Sequence, residues 1–160
     1  MAKFPMTPRG QQALRDELKH LREVERPKNV QDIEEARAHG DLRENAEYHA
    51  AKEKQGFIEG RSREIDSVLA QAEVIDPAKL SGTRVVFGAT VLLTDTDSGE
   101  ETTYTIVGDY ESDIKLGRIA ISAPLARAMI GRDEGDTVTL RNAKGTREYQ
   151  VKSVTFVAQS

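Results

Sequence analysis

The feature that most constrains this chain is a change of hydrophobic period near its middle, where Asp76-Pro77 is followed by Ser81-Gly82. Before this point the chain is crowded with Ala, Glu, Arg, Lys, Gln and Leu, which are strong helix formers. After it, Val, Thr and Ile alternate with polar residues between glycine turns, which is typical of strands. We predict an α+β protein with a helical domain at residues 1–76, a linker at 77–82 and a small antiparallel-sheet domain at 83–160.

The helical half contains two amphipathic segments. Thr7-Pro8 predicts the start of a helix. The Thr7 hydroxyl can cap the first turn, and the main-chain amide hydrogen that Pro8 lacks would have no helical partner at that position. A kink is expected at Pro27, and the connection at residues 38–42 is short. Each apolar stripe needs a partner, so the segments form an antiparallel coiled-coil hairpin, either a specialised arm or a general oligomerisation coil. The stripes comprise Leu14, Leu18, Leu21, Val30 and Ile33, then Ile58, Ile65, Val68 and Ala72 with Phe57 beside them.

The second half alternates with a period of two. Val85, Phe87, Ala89, Val91 and Leu93 share one face of a predicted strand. Ser122-Ala123-Pro124 is the predicted cap of one short helix, Leu125 to Ile130, that Gly131 ends. Further strands are predicted at residues 102–107, 118–122, 138–141 and 146–156.

Composition excludes several classes of function. With 38% hydrophobic and 31% charged residues and a net charge of −4, the chain as a whole does not attract nucleic acid. The absence of cysteine excludes disulfides, thiolate nucleophiles and cysteine-bound metals. The longest apolar stretch, Val85 to Leu93, is too short to cross a membrane, and the start of the chain lacks a signal-peptide pattern. We expect a cytoplasmic protein.

Ionisable residues crowd the connection between the two helices. Asp41 and Glu44 could provide half of a Mg²⁺ site, because Mg²⁺ is commonly held by one or two carboxylates with water and phosphate completing the shell. In the structural alternative, Gly40 ends the first helix, and Asp41 and Glu44 have the spacing of a helix capping box. Both interpretations stay open. A self-contained metal site using His39 and His49 is poorly supported, because Ala46 stands where a Glu-x-x-His pair needs its acid.

Two cations flank this connection. Arg37 and Lys52 lie just below it on opposite arms, where they could form a small basic patch or belong to a solvated salt-bridge face.

The run GDLRENAEYHAAKEKQGFIEGR at residues 40–61 resembles the tip signature of the bacterial Gre transcript-cleavage factors, and the GreA branch more closely. The resemblance extends to residues 4–7, 73–76, 87–91 and 122–131, with a departure at Ala123. It implies a coiled-coil finger with an acidic tip at about residues 38–47 and an FKBP-like domain that docks on RNA polymerase at its secondary channel.

The resemblance also implies roles for individual residues. Asp41 and Glu44 match the family's tip acids, which share Mg²⁺ with the polymerase active centre. Arg37 and Lys52 match the basic patch that guides the RNA 3′ end of a backtracked complex, and Asn45 and Tyr48 belong to the matching tip motif. These roles describe a monomeric transcription elongation factor that activates RNA cleavage by the polymerase without being an enzyme or having a cofactor of its own.

Two other functions stay open on the sequence alone. A relative of this family could plug the polymerase channel as an inhibitor, although retention of Asp41 and Glu44 favours activation. An FKBP-like sheet could also be a prolyl isomerase. Isomerases of that fold usually have a tryptophan at the floor of an aromatic pocket, and this chain has no tryptophan. Candidate docking residues, through resemblance only, are Glu111, Asp113 and the segment Ser122 to Gly131.

Overall fold

The computed structural model describes residues 3–40 and 45–159 of the chain. The chain divides into two compact units, a helical unit, Gln12–Gln71, and a sheet unit, Met1–Gln11 with Ala72–Ser160. In the described part of the chain, no helix is both long enough and apolar enough to span a membrane.

The sheet unit includes the beginning of the chain because strand β1 (Phe4–Met6) pairs in parallel with β2 (Ala72–Val74). The main-chain amide of Ile75 also donates to the carbonyl oxygen of Met6 at 2.8 Å. The predicted domain limits place the first residues with the helices, whereas their main-chain partners lie after the helices. Pairing between segments so far apart in sequence leaves no local pattern from which to predict it.

The helical unit is the predicted hairpin. Helix α1 spans Pro8–His20, α2 spans Arg26–Ala38 and α3 spans Ala46–Ala70. Ion pairs join the two arms: Arg61 bonds both carboxylate oxygens of Glu17 at 2.6 and 2.8 Å, and Arg26 bonds both of Glu59 at 2.7 and 3.0 Å, while Arg22 pairs with Asp66. The buried seam comprises Leu14, Leu18, Leu21, Ile33, Ala36, Ala51, Ile58, Ile65 and Val68.

A π turn, Leu21–Glu25, lies between α1 and α2 where a kink at Pro27 was predicted. The amide of Arg26 donates to the carbonyl oxygen of Leu21, five residues back. In a regular helix, Ile33 would be rotated from Leu21 by about 120°, because each residue turns the chain by about 100°. The π turn accommodates roughly one extra residue and removes most of that rotation. Leu21 and Ile33 therefore both lie in the buried seam.

Three predicted stripe positions lie outside the seam. Val30 is 45% exposed, and its neighbour Asn29, at 2% exposure, is buried instead. The apolar pattern resumed the stripe at Val30 after a kink at Pro27, whereas the extra residue of the π turn brings Asn29 to the buried face. On the other arm, Phe57 is 68% exposed, so Ile58 alone carries the stripe at this level of α3, and Ala72 lies beyond the helix in β2.

Five strands form the main sheet, in the order β5-β4-β3-β7-β6. All neighbouring pairs are antiparallel except β4 and β5, which are parallel. The predicted antiparallel sheet is thus confirmed with one parallel edge strand, reached through a short 3₁₀ turn, Ile114–Leu116. The strands are β3 (Thr90–Asp95), β4 (Glu101–Val107), β5 (Arg118–Ala120), β6 (Thr137–Asn142) and β7 (Gly145–Thr155).

The core of the sheet unit contains the face predicted from alternation. All five predicted residues, from Val85 to Leu93, are buried, although the strand itself begins only at Thr90. The predicted short helix is α4 (Pro124–Met129), and it buries Ala126 and Met129. Within the predicted run Ser122-Ala123-Pro124, the cap is Ala123, which has no side-chain acceptor, and Pro124 lies in the first turn.

Candidate functional site

The candidate site is the end of the helical hairpin. Helix α2 ends at Ala38, and Gly40 follows with φ of 107°, a left-handed conformation that glycine adopts without a Cβ clash. This confirms Gly40 as the residue that ends the first arm. Asp41 and Glu44 lie outside the described residues, so their proposed metal and capping roles stay predictions.

Asn45 bonds to both arms. Its Oδ1 accepts a hydrogen bond from the amide of Tyr48 at 3.0 Å, which caps α3. Its Nδ2 donates to the carbonyl oxygen of Ala36 at 2.6 Å, in the last turn of α2. One side chain therefore satisfies a free amide of one helix and a terminal carbonyl of the other. The sequence placed Asn45 in the tip motif but did not predict this bridge.

Asn45 also bears on the capping alternative for the acids. The cap of α3 is filled by Asn45, so this helix does not depend on Asp41 or Glu44 for its cap.

Tyr48 is half-buried in the first turn of α3. Its ring packs edge-on against the ring of His49, with centroids 5.7 Å apart and planes at 67°. This contact orients the Tyr48 side chain near the bridge made by Asn45.

The two predicted basic residues lie on opposite arms and are both exposed. The ammonium group of Lys52 donates to Oε1 of Gln55 at 3.0 Å, one turn along its own helix. In residues 3–40 and 45–159, the Arg37 side chain has neither an ion pair nor a hydrogen bond. Its guanidinium is accessible to an external anion.

A shallow groove lies between α2 and α3 below the tip. Its polar lining consists of Asp32, Glu35, His39, Glu47 and Lys54. Across the described ranges, no group of three acidic or histidine side chains is arranged to hold a metal ion.

The predicted docking residues lie in the sheet unit and differ in what their side chains do. Glu111 is engaged internally: its Oε2 accepts from the amides of Thr7 at 2.8 Å and Gly108 at 3.0 Å, and the Thr7 hydroxyl donates to its Oε1. Asp113 accepts from the amide of Lys115 at 3.1 Å. The sequence carries no local signal for the bonds from Thr7, because that residue is 104 positions away from Glu111.

The segment from Ser122 to Gly131 is divided between core and surface. Ala126 and Met129 are fully buried, whereas Pro124, Arg127 and Ile130 are exposed.

Two family models of transcription elongation factors match nearly the whole chain. The N-terminal model matches residues 4–74, and the GreA/GreB C-terminal model matches residues 80–156. The chain belongs to the GreA/GreB family of transcription elongation factors. The gap between the two matches falls at the predicted linker.

Individual GreA/GreB relatives agree with this assignment. The chain is 57% identical over 159 residues to the transcription elongation factor GreA of Anaeromyxobacter sp. (strain K), covering 99% of this chain and 96% of that protein. It is 60% identical over 154 residues to GreA of Xanthomonas axonopodis pv. citri (strain 306), covering 96% and 98%. Among solved structures, GreA factor homolog 1 of Thermus thermophilus is 25% identical with a TM-score of 0.44, covering 96% of this chain and 99% of that one.

Proposed function

We propose that this chain binds bacterial RNA polymerase, inserts its helical hairpin into the secondary channel and stimulates the polymerase's own cleavage of backtracked RNA. The observation that carries this proposal is the pair of hydrogen bonds made by the Asn45 side chain. They cap α3 without Asp41 or Glu44, and they join the two arms next to those acids in sequence. The protein then acts as a monomer in the cytoplasm, where it meets the polymerase.

In this mechanism Asp41 and Glu44 act as ligands shared with the polymerase active centre. Carboxylate oxygens suit Mg²⁺, which proteins commonly hold through one or two carboxylates. Mg²⁺ held there would stabilise charge on the attacking and leaving oxygens of a phosphodiester displacement. The chain supplies ligands and geometry, and the polymerase supplies the rest of the reaction centre.

The remaining tip residues position the two arms and bind the RNA. Asn45 fixes the distance between the arms through its two hydrogen bonds, and Tyr48 supports it by packing on His49. Arg37 and Lys52 are exposed cations that bind the phosphates of the extruded RNA 3′ end. Because such contacts are electrostatic, their contribution weakens as salt concentration rises.

The test uses purified polymerase stalled in a backtracked complex that carries end-labelled RNA. The wild-type protein should shorten this RNA and leave RNA without polymerase intact. Asp41→Asn and Glu44→Gln should bind polymerase with unchanged affinity but slow cleavage by at least about tenfold, equivalent to ~1.4 kcal/mol of transition-state stabilisation. Glu53→Gln, which removes an exposed carboxylate farther along α3, is the matched control and should cleave at the wild-type rate.

The same assay separates the other candidate functions. An inhibitor that plugs the channel would slow nucleotide addition without shortening the RNA. A prolyl isomerase would accelerate isomerisation of a proline peptide and leave the stalled complex unchanged. Wild-type cleavage rates in both Asp41→Asn and Glu44→Gln would contradict the proposed role of the tip acids.

A further inference from the structure

An open groove lies in the sheet unit on the face opposite the core. Its floor contains Thr90 of β3, Thr105 of β4 and Arg118 of β5, which lie directly opposite one another across the three strands. The hydroxyl oxygens of Thr90 and Thr105 are 3.0 Å apart. Because side chains alternate between the faces of a strand, this row lies on the opposite face from the buried Val91 and Ile106.

The groove has an apolar part beside its polar lining of threonine, arginine and Gln159 side chains. Leu116 and Val157 line it and are 62% and 57% exposed. Pro77 and Ala158 extend the same lining. Two large apolar side chains exposed around one groove would gain free energy on burial against another apolar surface.

The charge of the groove is positive. Arg9 and Arg118 line it, and no acidic residue does so in the part of the chain that the structure describes. Both arginines are half-buried, and neither guanidinium has an ion pair or hydrogen bond within residues 3–40 and 45–159. Arg26 and Arg61 on the hairpin, by contrast, each form ion pairs with glutamate. The groove therefore offers two partly desolvated cations to an external carboxylate or phosphate.

The turn that carries Leu116 and leads into Arg118 is held by main-chain hydrogen bonds and a close approach. Between them, Gly117 has φ of 71°, and a Cβ there would lie 2.9 Å from the carbonyl oxygen of Thr103. The amide of Thr105 also donates to the carbonyl oxygen of Gly117 at 2.8 Å. A groove held in this way loses little conformational entropy when it is filled.

We propose that this groove docks a segment of RNA polymerase in which a carboxylate side chain is adjacent to an apolar one. The inference rests on the proposed function for the identity of the partner. Its chemistry rests on the groove, in which Arg9 and Arg118 complement an acid while Leu116 and Val157 cover an apolar side chain. An RNA backbone would satisfy the arginines but leave the apolar walls exposed, so the observations favour a protein segment.

The experiment measures the affinity of full-length variants for purified core polymerase without nucleic acid. Arg118→Glu should raise Kd at least about tenfold, because it turns the attraction for a carboxylate into repulsion. Leu116→Ser should raise Kd severalfold; its side chain is exposed, so the substitution removes no core residue, and thermal melting checks that the variant folds. Lys144→Glu is the charge-matched control, because Lys144 is exposed in the β6–β7 turn at the far edge of the sheet, and its Kd should be unchanged.

Cleavage of backtracked RNA is then measured with each variant at saturating concentration, where it should equal that of the wild type. Unchanged polymerase affinity in both Arg118→Glu and Leu116→Ser would overturn the groove proposal and leave the cleavage function standing. Weaker binding of Arg118→Glu to a single-stranded RNA probe, with unchanged affinity for polymerase, would also overturn it. A wild-type protein that binds polymerase without stimulating cleavage would contradict the proposed function alone, since the groove is tested by Kd.

Discussion

The side-chain amide of Asn45 donates to the carbonyl oxygen of Ala36 at 2.6 Å, across the end of the hairpin. The same side chain caps α3 through the amide of Tyr48 at 3.0 Å. The two bonds need a donor and an acceptor on one short side chain, a combination that asparagine has and aspartate or serine cannot provide in the same geometry.

Substitution of Asn45 separates these two bonds. Asn45→Asp retains a good helix cap but places a carboxylate oxygen against the Ala36 carbonyl, so we expect a loss of about 1–2 kcal/mol in the free energy of unfolding. Asn45→Ala loses both bonds and should cost more. Urea unfolding followed by helical circular dichroism measures both values. An Asn45→Asp variant as stable as the wild type would show that the bridge to Ala36 contributes nothing.

The second prediction tests the register shift at the π turn. Asn29 is buried and its Nδ2 donates to the carbonyl oxygen of Ala51 at 2.9 Å, while the neighbouring Val30 is 45% exposed. Asn29→Ala should lower the free energy of unfolding by about 1–3 kcal/mol, and Val30→Ala should change it by less than about 0.5 kcal/mol. The same urea titration compares them. The reverse order would place Val30 in the seam, as apolar spacing alone predicts.

The third prediction concerns pH. Hydrogen bonds from Arg61 hold the pKa of Glu17 below its usual value of 4.5. A carboxyl whose pKa is lowered by folding stabilises the protein above its unfolded pKa, and this contribution is lost as pH falls through the folded pKa. Urea midpoints measured from neutral pH to below 4.5 should therefore fall less steeply for Glu17→Gln than for the wild type. Glu53→Gln, an exposed acid, is the control and should follow the wild-type slope.

The fourth prediction concerns Glu111, which accepts hydrogen bonds from the amides of Thr7 and Gly108. Glu111→Ala leaves both amides without this acceptor, and we expect a loss of at least about 2 kcal/mol in the free energy of unfolding. Asp113→Ala removes an exposed acid nearby and should cost less than about 1 kcal/mol. Calorimetric melting of both variants checks the difference. Equal losses in the free energy of unfolding would mean that the Glu111 hydrogen bonds stabilise the protein no more than the hydrogen bond of Asp113 in a surface turn does.

Local patterns predicted much of the fold. The alternation from Val85 to Leu93 identified five residues that are buried in the core, of which Val91 and Leu93 belong to β3, where side chains alternate between the two faces. Gly40 was predicted to end the first arm, and the left-handed φ of 107° explains why a glycine stands there. Such features depend on neighbours in sequence, so the sequence is sufficient to predict them.

The candidate site was predicted through its motif, but not through its contacts. Lys52, Asn45 and Tyr48 were named from the tip run and Arg37 from its place beside it, whereas the hydrogen bond from Asn45 to Ala36 joins two arms and has no local signature. The groove that contains Arg9 and Arg118 was not predicted at all. Its two arginines are far apart in sequence, on α1 and β5, and line one groove only in the folded chain.

By itself, the sequence determined the two structural classes, the hairpin and the family signature, because helix propensity, strand alternation and the tip motif are all short-range. Only the tertiary structure decided that Asn29 rather than Val30 lies in the seam, because the π turn changes the rotation between Leu21 and Ile33. It also decided that Glu111 is engaged internally, while the guanidinium groups of Arg9 and Arg118 line one groove without an ion pair in the described residues. Whether a charged side chain is satisfied depends on residues brought together by folding, and that information is absent from any single stretch of the chain.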